Sequence, residues 1–452
     1  MRTFWSVLRL AGRTTVMLGV ATPARAQAGP PAPGDTLRLT LVEARSIALQ
    51  ANPLLGAARL DTTVARGEVR QSSLLIAANP SVEVLGASGG NGYEAGVSQE
   101  IEIFGQQGSR ASAGRAGLAR AKAGVSNATR LTLGDVDRTF YQLYSATRRR
   151  RLAEEVFALT QRIADVARRQ LAAGEIGRLE FNLATVELGR TRTRALAAER
   201  EREGAAIELR RLLGVPSASP VAPVLDSTDV VAPEDIPDMP GQAFGEAVGP
   251  VAAPEPPNRR LNLDSLIALA LSRRPDLAER EAAMRQAEAQ ATTARREALP
   301  NLLVRGVTEP SADGTGRAFR PGIGLTLPLF NRNRGRVQAL RATARRAELE
   351  RQSLALGIRA QVSAAAASFE AAAAEVQVLA STVLAPARQN RRLVEIAYRE
   401  GKVGLPELLL IRNQAIDAEL DYWAAWLAER QALASLAEAT SANHPAIEES
   451  QR

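Results

Sequence analysis

The sequence predicts a mainly α-helical protein that is written as two internal repeats, with one β-hairpin in each repeat. Three observations lead to this fold class. Four landmarks in the first half of the chain recur in the same order in the second half, at offsets of 220 to 227 residues. Long proline-poor runs rich in Ala, Arg, Leu and Glu carry apolar residues at helical spacing. Each half also contains a segment in which apolar and polar residues alternate, which is typical of paired strands.

Composition excludes several classes of function. The chain has 452 residues with no Cys and one His, His444, so it lacks the residues for a disulfide framework, a zinc ribbon, a His-cluster metal site or a Cys nucleophile. We therefore expect no catalytic residues, no metal ligands and no cofactor. Only 4% of the residues are aromatic, which is few for the three compact cores that the length suggests. Arg is interleaved with Glu and Asp, which indicates solvated helix faces and no nucleic-acid surface.

The N-terminus has the pattern of an export signal. Three Arg residues precede a short apolar stretch at 16–21, and an Ala-Arg-Ala sequence at 24–26 fits the small-residue cleavage pattern. We predict a signal peptide at 1–26 and an N-terminal extension at 27–38; a disordered basic tail is the alternative. Beyond this region no apolar run reaches 18 residues, so a membrane span of this chain would be built from strands.

The repeats divide the rest of the chain. We place repeat 1 at 39–214 and repeat 2 at 261–440, with a Pro- and Gly-rich linker at 215–260 and a tail at 441–452. The recurring landmarks are 39–53 with 261–275, 79–84 with 299–304, Tyr93 and Phe104 with Phe319 and Phe330, and the Gly-x-x-Gly sequence of 174–177 with that of 401–404. Because their order is kept with small drifts in spacing, the halves are homologous units of one elongated protomer.

Each repeat opens with a helical segment and a hairpin. In repeat 1, helical spacing covers 41–78 with a boundary at Asn52-Pro53, where a first short helix ends. The hairpin of 80–104 has a Gly-rich turn at 86–92, and its second strand places apolar side chains on one parity and mostly Glu and Ser on the other. In repeat 2 a helix again precedes the hairpin, which spans 300–330.

A pair of antiparallel helices completes each repeat. The proline-free run 106–173 predicts one helix of 68 residues, about 100 Å long, and the helix at 178–213 is about half that length. Two half-length helices stacked end to end would therefore lie alongside one full-length helix. Repeat 2 carries the equivalent helices at 334–400 and 405–439, and we expect Pro386 to kink the first of them.

The alternating strand residues resemble the strands of an outer-membrane barrel, although a hairpin covering a soluble core is an equally good local interpretation. In a barrel the lipid-facing residues would be Tyr93, Val97, Ile101, Ile103, Phe319, Ile323, Leu325 and Leu327. One chain supplies four strands, and an open sheet in lipid leaves backbone groups unpaired. Closure therefore requires a ring of copies, with the helices continuing that ring as a hollow conduit.

With these motifs in place, the sequence resembles the TolC family of outer membrane factors over nearly all of 39–440. The resemblance is carried by Asn52-Pro53, by VSQEIEIFGQQGSR at 97–110, by GIGLTLPLFNRNRGRVQAL at 322–340 and by the two Gly-x-x-Gly turns. The form LPLFNRNRGR is most similar to the CzcC-type branch, which serves heavy-metal efflux pumps of the resistance-nodulation-division class.

The resemblance implies a homotrimer with a 12-stranded β-barrel continued by a long antiparallel α-helical barrel. Such a protein is a passive exit duct in the outer membrane of a Gram-negative bacterium, with a long periplasmic extension and no enzymatic activity. Its partners would be outer-membrane lipid, a periplasmic adaptor (membrane fusion protein) and an inner-membrane pump. A duct for drugs or for type I protein secretion is the alternative, and a periplasmic coiled-coil adaptor or structural protein is a more remote one.

The resemblance also assigns site residues. The hairpin tips would face the adaptor, and they consist of Gly174, Glu175, Ile176, Gly177, Gly401, Lys402, Val403 and Gly404. Helix reversal alone explains the glycines, whereas docking and structural roles are both open for the other four. Glu180 and Glu407 are candidates for a periplasmic gate, in which a ring of three Glu would favour cations; an ordinary exposed helical Glu is the alternative. Family members often carry a second acidic residue three positions later, where this chain has Leu183 and Leu410.

Overall fold

A computed structural model describes residues 37–86, 93–216, 219–225, 261–311 and 316–441 of the chain. The predicted signal peptide, all but the last two residues of the N-terminal extension, the hairpin turn after residue 86, the centre of the linker and all but the first residue of the tail lie outside these ranges. The fold is therefore described for the two repeats and the first part of the linker.

The two repeats fold into the same order of long elements. Repeat 1 with the start of the linker forms β1 (Leu37–Leu39), α1 (Leu41–Ala51), α2 (Pro53–Ser72), β2 (Ser81–Gly86), β3 (Tyr93–Ile101), α3 (Gln106–Ala173), α4 (Arg178–Leu213) and β4 (Val221–Pro223). Repeat 2 forms α5 (Leu263–Arg273), α6 (Pro275–Arg296), β5 (Leu302–Pro310), β6 (Arg317–Leu325), α7 (Arg334–Val378), a π-helical turn (Leu379–Leu384), α8 (Ala385–Arg399) and α9 (Leu405–Thr440). The short strands β1 and β4 pair in parallel, which fastens the start of the linker to the start of repeat 1.

The helix α3 is the centre of a single layer of helices. It packs against α2 and α6 towards the strands and against α4 and α9 in its other half. The helix α7 packs against α6 and α9, and α8 packs against α9. The layer therefore has α2 and α4 at one edge and α7 and α8 at the other. No helix in the described part of the chain is both long enough and apolar enough to cross a bilayer.

The half-length helices stack end to end, as predicted. At the first joint Asn52, which is 5% exposed, accepts hydrogen bonds from two N–H groups in the first turn of α2, and its amide donates to the Leu212 carbonyl at 2.8 Å. The C-terminus of α4 thus meets the N-terminus of α2, so that opposite ends of two helix dipoles adjoin. At the second joint the equivalent residue is Arg274, which donates to the Ala439 carbonyl at 3.3 Å.

The predicted long helix at 334–400 is not one α-helix. It consists of α7, a π-helical turn at Leu379–Leu384 and α8. Pro386 lies just after this turn, and proline lacks the N–H group and crowds the carbonyl four residues earlier. A wider turn takes up this mismatch without ending the helix, so an inserted π turn carries the irregularity that was expected as a kink.

Six aromatic residues pack in one core at the middle of α3. Trp423 and Trp426 are 6% and 2% exposed, so both pack in the interior as their spacing on one helix face predicts. The ring of Tyr141 meets that of Trp426 edge to face at 5.9 Å, and Tyr144 lies 5.4 Å from the same ring. Elsewhere the layer is held largely by Ala, whose small side chain allows helices to approach closely.

Candidate functional site: the strand face and the hairpin tips

The two hairpins join into one antiparallel sheet with the strand order β2-β3-β5-β6. Within the sheet, the two repeats meet through the pairing of β3 with β5, in which Val97 lies opposite Gly306. On its other side Val97 lies opposite Val82 of β2, and within the second hairpin Val304 lies opposite Ile323. This register brings the apolar parity of every strand onto the same face.

One face of the sheet is apolar across all four strands. Its residues include Val82, Val84, Tyr93, Val97, Ile101, Leu302, Val304, Phe319, Ile323 and Leu325. Ile323 is 84% exposed and Phe319 is 66% exposed in the single chain. A contiguous exposed apolar surface of this kind is unfavourable in water and indicates an apolar surrounding.

Two of the predicted lipid-facing strand residues, Ile103 and Leu327, do not lie in strands. β3 ends at Ile101 because the chain turns at once into α3, where Gly105 adopts a φ of 77°. β6 ends at Leu325 and is followed by a tight turn around Pro328, in which the Leu329 N–H donates to the Leu327 carbonyl at 2.9 Å. At Ile103 and at Leu327 the alternation of apolar and polar residues in the sequence continues beyond the last hydrogen-bonded residue pair of the sheet.

The opposite face of the sheet is polar and carries ion pairs. Arg320 pairs with Glu309 at 2.5 Å, and Arg305 of β5 lies 3.7 Å from Glu83 of β2. Ion pairs of this kind belong to a hydrated surface. The sheet therefore separates an apolar side from a polar side.

Both outer edges of the sheet are open in the single chain. Among the strands of the described ranges, β2 pairs with β3 alone and β6 pairs with β5 alone. The two helix edges of the layer are also apolar on their exposed sides, with Leu60 at 65% and Val64 at 61% exposure on α2 and with Leu356 at 66% exposure on α7. Each of the two sides of the protomer thus presents an unpaired strand edge together with exposed apolar side chains of a helix.

Each predicted hairpin tip reverses two helices at a glycine in the left-handed region. Gly174 has a φ of 73° and Gly401 a φ of 71°, and an added Cβ would meet no atom within 4 Å at either position. The backbone conformation, and not lack of space, therefore requires glycine. Gly177 and Gly404 instead have extended backbone and precede α4 and α9.

The other four tip residues divide into two kinds. Ile176 and Val403 are half-buried and pack in one apolar cluster with Leu405 and Leu408, which joins the two hairpins side by side. Glu175 and Lys402 are exposed, and Lys402 pairs with its neighbour Glu400 at 2.6 Å. The structure thus gives Ile176 and Val403 a packing role and leaves Glu175 and Lys402 at the surface.

The two candidate gate residues also differ. The Glu180 carboxylate accepts a hydrogen bond from the Gly177 N–H at 2.7 Å and so caps the start of α4. Glu407 occupies the equivalent first turn of α9, where it is exposed and has no hydrogen bond or ion pair to any residue in the described ranges. Glu180 therefore has a structural role as a helix cap, whereas no described contact gives Glu407 a structural role.

A buried charge network surrounds the second helix joint. Arg274, 5% exposed, pairs with Asp276 at 2.5 Å, and Arg130 of α3 pairs with Glu438 at 3.2 Å. Burial alone would raise the pKa of Asp276, but the hydrogen bond from Arg274 and the charges of Arg274 and Arg130 outweigh burial and lower that pKa. The sequence analysis missed this network, and its only signal was an Arg at the position where repeat 1 has Asn52. No group of three or more His, Asp or Glu side chains in the described ranges is arranged to hold a metal ion.

Comparisons with known proteins agree with this architecture. The outer membrane efflux protein family model matches residues 44–215 and 266–442. The cobalt-zinc-cadmium resistance protein CzcC of Cupriavidus metallidurans is 23% identical over 388 residues, which is 85% of each chain. The CmeC outer membrane channel of Campylobacter jejuni superposes with a TM-score of 0.68 at 15% identity, over 91% of this chain and 89% of that one. The open state of the MtrE outer membrane channel of Neisseria gonorrhoeae superposes with a TM-score of 0.67 at 21% identity, over 89% of both chains.

Proposed function

Because this chain belongs to the outer membrane efflux protein family, we propose that it closes as a homotrimer into an exit duct for heavy-metal cations. The protein is an efflux duct in the outer membrane of a Gram-negative bacterium and not an enzyme. As part of a tripartite system it works with a periplasmic adaptor and an inner-membrane pump. Family membership therefore favours the duct over the remote alternative of a periplasmic adaptor.

The observation that carries the trimer is the apolar strand face bounded by two open edges. Four strands per chain are too few for a closed barrel, since single-chain barrels have at least eight, whereas three copies supply twelve. Joining β2 of one protomer to β6 of the next would satisfy the open backbone groups. The same contact would bring the apolar sides of α2 and α4 against those of α7 and α8, so strands and helices close together.

The proposed cargo rests on the similarity to CzcC, whose name refers to cobalt, zinc and cadmium resistance. A metal ion would be conducted and not held. In a threefold assembly Glu407 would form a ring of three carboxylates near the periplasmic end, and such a ring favours cations at a constriction. Glu180 would contribute less, since its carboxylate is engaged in capping α4.

The proposed docking surface for the adaptor is the exposed part of the hairpin tips. Glu175 and Lys402 carry opposite charges on neighbouring hairpins, and rim charges of this kind set the orientation of a partner. Ile176 and Val403 would act indirectly, because they hold the two tips in one cluster. The four tip glycines would shape the reversal itself.

A pair of lysine substitutions on β6 tests the duct. Ile323→Lys places a charge on the apolar face near the end of β6, which is unfavourable in lipid and should reduce the amount of trimer in outer-membrane fractions. Ala318→Lys places the same charge on the polar face and should be tolerated. Equal recovery of both variants would contradict a lipid-facing strand surface.

The proposed metal cargo is tested by measuring whether this chain restores metal tolerance to a bacterial strain that lacks its own efflux duct. Expression of this chain with its adaptor and pump should restore growth in cobalt, zinc or cadmium salts. Restored tolerance to drugs without any change towards metals would favour the drug-efflux alternative. Loss of metal tolerance in Glu407→Gln, with normal amounts of protein, would support the proposed carboxylate ring.

A further inference from the structure

The junction between β6 and α7 joins exposed apolar side chains to unpaired cations. Leu329 is 63% exposed and Phe330 is 100% exposed, next to the end of the apolar strand face. Arg332 and Arg334 follow directly, and neither has an ion pair or hydrogen bond to any described residue. An exposed aromatic side chain beside uncompensated charge suits a surface that is itself partly apolar and partly anionic.

The junction is a fixed structure. The side-chain amide of Asn333 donates to the Ala294 carbonyl of α6 at 3.0 Å, and the Asn333 N–H donates to Asn331 at 3.1 Å. Residues 329–335 border one open surface pocket of about 420 Å³, so apolar residues and arginines line the same space. The loop of residues 329–335 thus presents apolar side chains and arginines side by side, and the hydrogen bonds of Asn333 hold it against α6.

The positive charge is not neutralised locally. Between residues 314 and 347 the sequence has no Asp or Glu. Arg336, in the first turn of α7, pairs at 2.9 Å with Glu297, the residue that follows α6, so this carboxylate is already engaged. Arg332 and Arg334 are therefore left to attract an anion from outside the chain.

The equivalent junction of repeat 1 folds without these cations. Phe104 matches Phe330, and at the same offset Gln106 and Gly108 stand where Arg332 and Arg334 stand. Gln106 is 1% exposed, and its amide donates to Asn301 at 2.9 Å. The helix after the hairpin of repeat 1 thus starts without arginine at these positions, and in repeat 2 no described contact gives Arg332 or Arg334 a role in folding.

We propose that this junction binds an anionic glycerophospholipid of the periplasmic leaflet, with Leu329 and Phe330 among the acyl chains and with Arg332 and Arg334 on the headgroup phosphate. The inference rests on the proposed function, since that function places the end of the strand face at the lower boundary of the bilayer. Guanidinium groups match phosphate oxygens in pairs, and basic residues beside an apolar insertion select anionic lipids.

Lipid retention by the purified full-length protein tests the site. Phosphatidylglycerol or phosphatidylcholine is titrated into the detergent-solubilised protein, and bound lipid is counted by native mass spectrometry. The double variant Arg332→Gln, Arg334→Gln should bind phosphatidylglycerol at least about tenfold more weakly, with phosphatidylcholine binding unchanged. A control with the same charge change, Arg151→Gln with Arg168→Gln on exposed parts of α3, should match wild type. Equal retention of phosphatidylglycerol by wild type and junction variant overturns the proposal.

Single-channel recording on the same samples separates this site from the duct. Protein that does not conduct, yet loses phosphatidylglycerol in the junction variant, supports the lipid site and contradicts the proposed function. A junction variant with altered ion selectivity and unchanged lipid retention places the arginines in the lumen and overturns the lipid site. Displacement of phosphatidylglycerol by an equal concentration of inorganic phosphate also overturns it, because the apolar part of the junction would then contribute nothing.

Discussion

Replacement of Asn52 by alanine tests how the half-length helices are joined. Asn52 is 5% exposed and makes two kinds of contact at the joint. Its side-chain oxygen Oδ1 caps α2, and its side-chain Nδ2 donates to the Leu212 carbonyl at the end of α4. The variant Asn52→Ala removes both, so we expect the stack of α2 on α4 to be weakened at this joint.

The expected loss follows from the two contacts. Removal of a helix cap by alanine costs about 1 kcal/mol. The buried Leu212 carbonyl, left without the amide donor, costs about 1–3 kcal/mol more. We therefore expect Asn52→Ala to lower the free energy of unfolding by about 2–4 kcal/mol. Asn52→Ser should recover about 1 kcal/mol, because serine caps the helix but is too short to replace the amide donor.

Chemical denaturation monitored by the fluorescence of the buried Trp423 and Trp426 measures this loss, since both belong to the core beside the joint. Asn182→Ala on the exposed side of α4 is the matched control and should change stability by less than about 0.5 kcal/mol. A loss below about 0.5 kcal/mol for Asn52→Ala would show that Asn52 does not hold α2 and α4 together. An equal loss of stability for Asn52→Ser and Asn52→Ala would contradict the contribution of about 1 kcal/mol assigned to the helix cap.

Three further predictions concern the gate, the tips and the charge network. Glu407→Gln should lower the cation preference measured by single-channel reversal potentials, and unchanged potentials would reject a gate role. Gly174→Ala should destabilise the tip by about 1 kcal/mol because its φ is 73°, whereas Gly177→Ala, at a φ of −81°, should cost less; equal denaturation midpoints would contradict this. The pKa of Asp276 is lower in the folded chain than its ordinary value of 3.8, so its stabilisation is complete above about pH 4 and is lost as the pH falls through the lowered pKa. Asp276→Asn should therefore flatten the decline of stability in acid, and an unchanged slope would show that other carboxyl groups dominate.

Local patterns were sufficient for much of the fold. The absence of proline from 106–173 and the glycine at each end predicted a helix that the structure places at Gln106–Ala173. The duplicated landmarks predicted equivalent halves, and the alternation of apolar residues predicted strand pairs with one apolar face. These features depend on neighbours in sequence, which is why a single sequence reveals them.

Other features depend on contacts between distant residues. Pro386 signalled an irregular helix, but only the packed structure shows that a π turn absorbs it. The alternation that suggested strand residues at Ile103 and Leu327 runs past the last ladder pair, because ladder ends are set by the turn that follows. The role of Arg274 depends on its hydrogen bonds to Gln361 of α7 and to the Ala439 carbonyl of α9, which lie far away in the sequence.

The candidate site shows the same division. Sequence located the tips, since glycine marks a helix reversal. It did not separate Ile176 and Val403, which pack between the hairpins, from Glu175 and Lys402, which stay exposed. Nor did it separate Glu180, which caps its helix, from Glu407, which has no described partner.

In the proposed duct, three copies close into one ring through their open strand edges. Disulfide crosslinking tests it most directly, because the chain has no Cys to interfere. Val84→Cys on β2 is combined with a single Cys substitution moved along β6 from Phe319 to Ile323, and membranes are oxidised before electrophoresis under denaturing conditions. Closure of three copies through β2 and β6 predicts, at one or more positions, a reducible species of three protomers and none larger. Monomer at every position, or a ladder that continues beyond three protomers, would contradict it.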